Sequence, residues 1–400
     1  MKAAICIPTY WTDRVGRLRP GEAVYDHPTL LQGGQETLTR CLKSLTSLKG
    51  EFEVYVLAVP SWPGIASQVE KKVGKLLEPF KGELNVKGFY PSSLKKLKRF
   101  LQRKGLGRFS RSISLKGYGN VRNLCILLPY LAGLDAAILV DDDEIVTEED
   151  FLHKGLQFLG RRWRGKPIGG VAGYYVYRNG NYRLKVSPAP WSLVWDKASL
   201  MNKAFKIIDS RRRLNPTSFA FGGCMAIHRS LIREVCFDPW ITRGEDIDYL
   251  LCAKAYGFEF PLDNQWKILH DPPPKQRGFW GEFEQDVYRF LYQREKLKLL
   301  EEKLGLNLLT GELDPFPGYF LKEDLEGKIL LTGILALASL ETGRLLQAKT
   351  FRQLAQALKP VSLLLQKARK YALKNAGKYF GFRELWLKAL TSLEGEYFSW

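Results

Sequence analysis

The stretch AAILVDDDE at residues 136–144 joins a short apolar run to four consecutive acidic side chains. The apolar part is unbroken rather than alternating, which is typical of a strand buried on both faces of a parallel sheet. The four carboxylates that follow repel one another, so this strand end is costly unless a cation binds there. Asp141 and Asp143 point to the same side of an extended chain, and their oxygens are hard ligands that suit Mg²⁺ or Mn²⁺. The alternative is a solvated acidic turn that caps the next helix.

Similar apolar runs occur upstream, at residues 3–8 (AAICIP) and 54–59 (VYVLAV). Helical patterns lie between the runs, for example at residues 36–48, 64–77 and 120–131. This alternation of strands and helices predicts an α/β architecture. In open sheets of this kind ligands bind outside the carboxyl ends of the strands, which is where the acidic run lies.

The rest of the chain divides into two parts. Residues 146–275 mix short aromatic strands with loops rich in glycine and proline, and FAFGGCMAI at 219–227 is predicted to form a strand. After about residue 276 long amphipathic patterns dominate, as at 325–346 and 351–379. We therefore expect a helical C-terminal region over residues 276–400.

The chain has 400 residues and a formal net charge of +19. A basic balance suits nucleotide phosphates, nucleic acid, anionic lipid or a phosphorylated acceptor, and does not choose among them. The sequence has neither zinc-finger spacing nor an aromatic RNP motif, so no specific nucleic-acid partner is expected. Its six cysteines form no C-x-x-C pair, as in cytoplasmic proteins with reduced thiols. The apolar stretch at 329–340 is shorter than the about 20 residues of a membrane span. We expect a cytoplasmic protein, with peripheral contact to the inner face of the membrane, through its basic C-terminal helices, as a further hypothesis.

Several motifs resemble those of family 2-like GT-A glycosyltransferases, and they follow the order of that family along the chain. They are IPTY (7–10), GNVRN (119–123), VDDDE (140–144), FGGCMAIHRS (221–230) and GEDIDY (244–249). The resemblance covers about residues 1–275 and implies a Rossmann-like, nucleotide-sugar-binding GT-A domain with a mixed central sheet. Its donor half would span about residues 1–145 and its acceptor half about 146–275, with the helical region following at 276–400.

The resemblance also implies the activity, a metal-dependent transfer of a sugar, expected to be a hexose, from a UDP- or GDP-sugar to a hydroxyl acceptor. The acceptor class stays open among glycans, lipids and small molecules. The residues expected to bind the donor are Pro8, Thr9, Tyr10, Arg122, Asp141 and Asp142. Within this set the IPTY segment would line the base and ribose pocket, and Arg122 would face the diphosphate or the sugar. Asp143 would bind the divalent ion, Mn²⁺ or Mg²⁺.

Three further residues are candidates for the chemistry. An attacking hydroxyl must lose its proton, and a carboxylate beside the acceptor can serve as general base. Asp246 is the candidate base, with Glu245 as a second polar contact, although acids are also favoured in the first turn of a helix by its dipole. His270 ends the predicted strand WKILH and is expected to be a metal ligand that favours Mn²⁺. The alternative for His270 is a loop histidine hydrogen-bonded to backbone.

Two departures from the family pattern leave other functions open. The strand VYVLAVPSWPG has no acid at its end to contact the base, and the loop at residues 22–35 is longer than expected. A nucleotidyltransferase is one alternative, although YWTDRVGRLRPG after the first strand is a poor match to the glycine-rich, lysine-bearing loop such an enzyme needs. A basic module that binds nucleic acid or membrane on a degenerate GT-A fold is the other.

Overall fold

The computed structural model of the chain describes residues 1–14, 16, 19–33, 37–273, 278–308, 311–340, 351–398 and 400, with the backbone alone for 351–357. The strands, numbered along the chain, are β1 (Ala3–Thr12), β2 (Thr29–Leu30), β3 (Glu53–Pro60), β4 (Val86–Phe89), β5 (Ala136–Leu139), β6 (Glu144–Ile145), β7 (Arg162–Trp163), β8 (Lys166–Pro167), β9 (Gly170–Val176), β10 (Leu214–Asn215), β11 (Met225–His228) and β12 (Leu262–His270).

The α-helices are numbered in the same way. They are α1 (Thr37–Leu45), α2 (Ala66–Leu77), α3 (Pro91–Arg103), α4 (Gly107–Ser112), α5 (Tyr118–Leu131), α6 (Phe151–Leu156), α7 (Lys197–Ala204), α8 (Arg229–Glu234), α9 (Glu245–Ala255), α10 (Phe279–Leu304), α11 (Leu325–Leu340), α12 (Phe351–Asn375) and α13 (Lys378–Ser392). None of the described helices is both long and apolar enough to cross a bilayer.

One mixed sheet organises the chain, in the order β10-β12-β9-β11-β5-β1-β3-β4, with β2 paired to β1 and β6 paired to β12. Strands β5, β1, β3 and β4 run parallel, as the unbroken apolar sequences of β5, β1 and β3 predict, and all ten residues of β1 are buried. Strand β11 is antiparallel to both β5 and β9, while β12 is parallel to β9. The predicted α/β architecture with a mixed central sheet and a helical C-terminal region is confirmed.

The change of direction between β5 and β11 assembles one edge of the sheet. Met225, which begins β11, pairs with Leu139, which ends β5. His270, which ends β12, pairs with Glu144 of β6. The chain segments that follow β5, precede β11 and end β12 therefore meet at the same place.

Some predicted elements have different bounds. The predicted strand at 219–227 forms only from Met225 onward, and the preceding glycines lie outside it, with Gly222 against Arg122 and Gly223 against Glu144 of the acidic turn. The single helix predicted at 351–379 is two helices, α12 and α13, separated at residues 376–377. The last part of the helix predicted at 325–346 and the predicted boundary at residues 275/276 lie outside the described residues.

Helix α10 attaches the C-terminal helices to the sheet. Its Lys296 side chain is fully buried, and its ammonium lies 2.6 Å from Asp248 Oδ2 and 2.9 Å from Asp238 Oδ2. The same ammonium lies 3.5 Å from the ring centre of Tyr379 in α13. Lys296 thus links α10 and α13 to the segment around α9 through buried charges.

Candidate active site

A pocket of about 360 Å³ opens at the sheet edge where β5, β11 and β12 meet. Eight of the predicted site residues line it: Tyr10, Arg122, Asp141, Asp142, Asp143, Glu245, Asp246 and His270. Thr9 lies buried behind the wall, where its hydroxyl donates a hydrogen bond of 2.5 Å to Asp142 Oδ2. Pro8 is buried one position earlier in β1, paired with Leu57 of β3.

The acidic turn after β5 holds three of its four carboxyl groups, those of Asp142, Asp143 and Glu144, out of water. Burial raises the pKa of Asp142 and of Glu144 well above their ordinary values, and the neighbouring carboxylates raise them further. Burial, with the charge of Asp141, raises the pKa of Asp143 to about 7, although His27 in the loop after β1 opposes this shift. Carboxyl groups held this way are stabilised in their charged form by a bound cation.

His270 lies beside this turn. Its Nδ1 is 3.9 Å from Asp143 Oδ1 and 4.0 Å from Glu144 Oε1. Its ring stacks on Tyr175, with centroids 4.7 Å apart and planes 17° apart, and the Tyr175 hydroxyl accepts a hydrogen bond from the Gly223 amide. The imidazole is therefore held in a fixed plane against two carboxyl groups.

The donor set of this corner fits a divalent cation. Glu144 Oε1 is buried and has no hydrogen-bond partner among the described residues. Carboxylate oxygens with one imidazole are ligands that Mn²⁺ accepts. In the described part of the chain, however, no three His, Cys, Asp or Glu side chains already converge as a complete metal-binding group. Asp143 and His270 are the residues here whose chemistry and placement fit such an ion.

Arg122 of α5 connects the acidic turn to the beginning of α9. Its Nη2 donates a 2.6 Å hydrogen bond to Asp141 Oδ1, and its Nε lies 3.6 Å from Glu245 Oε1. Gly222 permits this placement, because a Cβ there would lie only 2.8 Å from Arg122 Nη2. The guanidinium is buried, and its Nε and Nη1 have no hydrogen-bond partner among the residues that the structure describes.

Helix α9 begins with two carboxyl groups in the pocket wall. Gly244 precedes it with φ +71°, a left-handed conformation that glycine adopts without strain. Asp246 Oδ2 accepts a 3.1 Å hydrogen bond from the Gly222 amide, which turns this carboxyl toward the pocket. Burial raises the pKa of Glu245 to about 7 and raises that of Asp246 as well, so both lie closer to neutrality than ordinary carboxyl groups. Such groups suit proton transfer near pH 7.

Sequence reasoning missed a residue of the wall and a residue that packs behind it. Arg289 lines the pocket from α10, outside the segment covered by the motifs. Tyr25, in the long loop after β1, packs against Tyr10 and Tyr118 with ring centroids 4.2 and 5.2 Å away. The unexpected length of that loop was the only sign of the second feature.

Comparison with protein-family models gives no match, and comparison with curated protein sequences gives none either. Among solved structures, the chain is similar to residues 1–349 of S. aureus TarS, at 13% identity over 100% of this chain and 93% of that one, with a TM-score of 0.42. It is also similar to the mannosyltransferase PcManGT from Pyrobaculum calidifontis in complex with GDP-Man and Mn²⁺, at 12% identity over 98% and 86% of the two chains, with a TM-score of 0.44. A TarS structure in complex with UDP matches at 15% identity over 100% and 93%, with a TM-score of 0.37. Similarities this distant carry no argument about the chemistry of the pocket.

Proposed function

We propose that the chain is a metal-dependent glycosyltransferase that moves a sugar from a nucleotide-sugar to a hydroxyl acceptor. One observation carries the proposal: the acidic turn and Asp246 face the same pocket, with the Arg122 guanidinium between them. Transfer of a sugar from a nucleoside diphosphate requires three kinds of site close together. They are a cation site for the leaving diphosphate, a further positive charge beside it, and a proton acceptor for the attacking hydroxyl.

On the donor side, Asp143 and His270 would hold Mn²⁺ or Mg²⁺. When bound, such an ion supplies Lewis-acid stabilisation of the leaving diphosphate. Arg122 would offer the phosphate oxygens the N–H donors that form no hydrogen bond with the described residues, because charge-assisted hydrogen bonds of this kind are the strong ones. Asp141 would bind ribose or sugar hydroxyls, and Tyr10 would lie against the base. The nucleotide, UDP or GDP, and the hexose are part of the proposal.

On the acceptor side, the Asp246 carboxylate would take the hydroxyl proton. The acceptor oxygen forms its bond to the anomeric carbon while the bond from that carbon to the diphosphate oxygen breaks. Glu245 would assist as a second polar contact with the acceptor. Because α10 contributes to the pocket wall, we propose that the GT-A unit at 1–275 works together with the helical region at 276–400.

A first experiment tests the reaction class. UDP- and GDP-sugars are incubated with the full chain and Mn²⁺, and the released nucleotide is measured. Release of a nucleoside diphosphate from these sugars supports the proposal. If the chain instead releases pyrophosphate when it is given nucleoside triphosphates, it is a nucleotidyltransferase. Binding of UDP or GDP that is equally strong with Mn²⁺ and with EDTA would contradict the role of the metal.

A second experiment tests Asp246. The Asp246→Asn variant keeps the shape of the side chain and loses its proton affinity, so turnover should fall by about 10²–10⁴-fold while nucleotide binding is retained. Asp150→Asn, which removes an exposed carboxylate at the start of α6, is the matched control and should leave turnover unchanged. Turnover of Asp246→Asn within about threefold of the wild type would rule out the general base.

A further inference from the structure

The α9 side of the pocket carries three cationic side chains in addition to Arg122. They are Lys197 of α7, Arg243 before α9 and Arg289 of α10. Lys197 and Arg243 have counter-charges: the Lys197 ammonium lies 2.5 Å from Asp286 Oδ2, and Arg243 Nη2 lies 3.0 Å from Asp26 Oδ2. Arg289 differs from both, because no ion pair within 4 Å links it to an acid in the described part of the chain.

The Arg289 side chain is only 6% exposed, and its Nε and Nη2 are buried without a hydrogen-bond partner among the described residues. A Cβ on Gly244 would lie 2.2–2.4 Å from the guanidinium, so the bare backbone of Gly244 lets Arg289 come this close. The Phe316 ring centre lies 5.6 Å from its Cζ. Packing therefore holds the guanidinium in place, and leaving its donors unsatisfied is costly.

The charge of Arg289 lowers the pKa of Asp246, although burial raises this pKa overall, and both side chains line the same pocket. Arg289 thus stands beside the proposed general base rather than beside the acidic turn. A planar guanidinium with free donors is matched by the oxygens of a phosphate or a carboxylate. Lys197 and Arg243 add to the positive potential there.

We propose that Arg289, supported by Lys197 and Arg243, binds an anionic group of the acceptor and so positions the acceptor hydroxyl at Asp246. This inference rests on the proposed function and specifies it: the acceptor carries a phosphate or a carboxylate close to the hydroxyl that is glycosylated. The anion is assigned to the acceptor rather than to the donor diphosphate because Arg289 adjoins Gly244 and Asp246.

The test measures binding of inorganic phosphate and of acetate by calorimetry. The full chain is first saturated with Mg²⁺ and UDP or GDP, so that the donor phosphate site is occupied. We expect the wild type to bind at least one of the two probes, and the probe that binds more tightly identifies the acceptor group. Arg289→Gln should weaken that binding at least tenfold and leave nucleotide affinity unchanged. Lys303→Gln removes the same charge from an exposed position of α10 and should bind as the wild type does.

The outcomes separate the two proposals. No probe binding to the nucleotide-loaded wild type, or equal binding by Arg289→Gln, overturns the inference. A tenfold loss of nucleotide affinity in Arg289→Gln also overturns it, because the anion is then the donor diphosphate. If the wild type binds the probe but no nucleotide, and the Arg289→Gln variant does not bind the probe, the anion site stands and the proposed function fails. Should the Arg289→Gln variant not fold, Arg289→Lys replaces it, because lysine keeps the charge without the planar guanidinium. The Arg289→Lys variant should have a melting temperature near that of the wild type and should bind the probe more weakly than the wild type, by a smaller factor than tenfold.

Discussion

Replacing Lys296 with methionine removes the buried cation that joins α10 to α9. Methionine fills a similar volume, but the carboxylates of Asp238 and Asp248, 0% and 1% exposed, lose the ammonium at 2.9 and 2.6 Å. Tyr292 still donates to Asp238 Oδ2, which leaves Asp248 the more poorly compensated. Breaking one partner out of a buried ion pair typically costs about 3–5 kcal/mol, and this is the loss of unfolding free energy that we expect.

The expected shift in melting temperature follows from the chain length. With an unfolding entropy of about 2.1 cal/mol/K per residue, 400 residues correspond to about 0.84 kcal/mol/K. A loss of 3–5 kcal/mol therefore lowers the melting temperature by about 4–6 °C. Differential scanning calorimetry measures this shift directly. Lys303→Met on the exposed face of α10 is the matched control and should change stability by no more than about 0.5 kcal/mol.

The pH dependence gives a second check on the same variant. Burial raises the pKa of Asp248 to about 6 in spite of the opposing charge of Lys296, whereas an unfolded aspartate titrates near about 3.9. A raised carboxyl pKa favours the folded state below the unfolded value, and this contribution is lost as the pH rises through the folded value. Without Lys296 the pKa rises further, so the variant should lose more stability relative to the wild type at pH 8 than at pH 5. A melting temperature within 1 °C of the wild type at pH 8 would refute the reasoning.

Three other predictions concern the pocket. Gly223→Ala would place a Cβ 2.2–2.5 Å from the Glu144 carboxyl group. Such overpacking should lower the free energy of unfolding by about 1–3 kcal/mol, as measured by thermal unfolding. Gly82→Ala is the control, because a Cβ there meets open space and should change the stability little. Burial raises the pKa of Asp143 to about 7, so Mn²⁺ must displace a proton from this carboxyl group below that pH. The affinity for Mn²⁺ should therefore fall by about tenfold per pH unit below pH 7. Calorimetry that shows a constant affinity from pH 5.5 to 8 would contradict this prediction. His270→Ala should raise the Mn²⁺ concentration for half-maximal activity at least about tenfold, and an unchanged requirement in the folded variant would show that His270 only supports the loop.

The centre of the sheet was predictable because β1, β3 and β5 are buried on both faces. Such strands have unbroken apolar sequences, and the runs at 3–8, 54–59 and 136–139 all lie in the sheet. The first strand extends beyond its apolar run, however, and β1 continues to Thr12. The convergence of the acidic turn with the start of α9 could be expected from motif order, but its distances depend on the antiparallel placement of β11, which the sequence pattern does not specify.

The contribution of α10 to the pocket was not predictable from the pattern of that helix. Its polar residues Asp286, Arg289, Gln293 and Lys296 recur at helical spacing, and a stripe of this kind ordinarily faces water. Here all four are buried, with Gln293 and Lys296 fully so. Only the tertiary structure shows that the sheet unit presents acids and a pocket to this stripe. Local periodicity identifies the helix and leaves open which side of it is covered.

The buried stripe of α10 carries two different features on one helix, the buried ion pairs of Lys296 and the pocket residue Arg289. Arg289 and Lys296 stand seven residues apart, about two helical turns and roughly 10 Å along the axis, on the same side. A small slide or tilt of this helix that follows a substitution around Lys296 would move the Arg289 guanidinium by a similar amount. In protein engineering, stabilising substitutions around Lys296 should therefore be screened for turnover as well as for melting temperature, because the proposed anion site at Arg289 lies on the same helix.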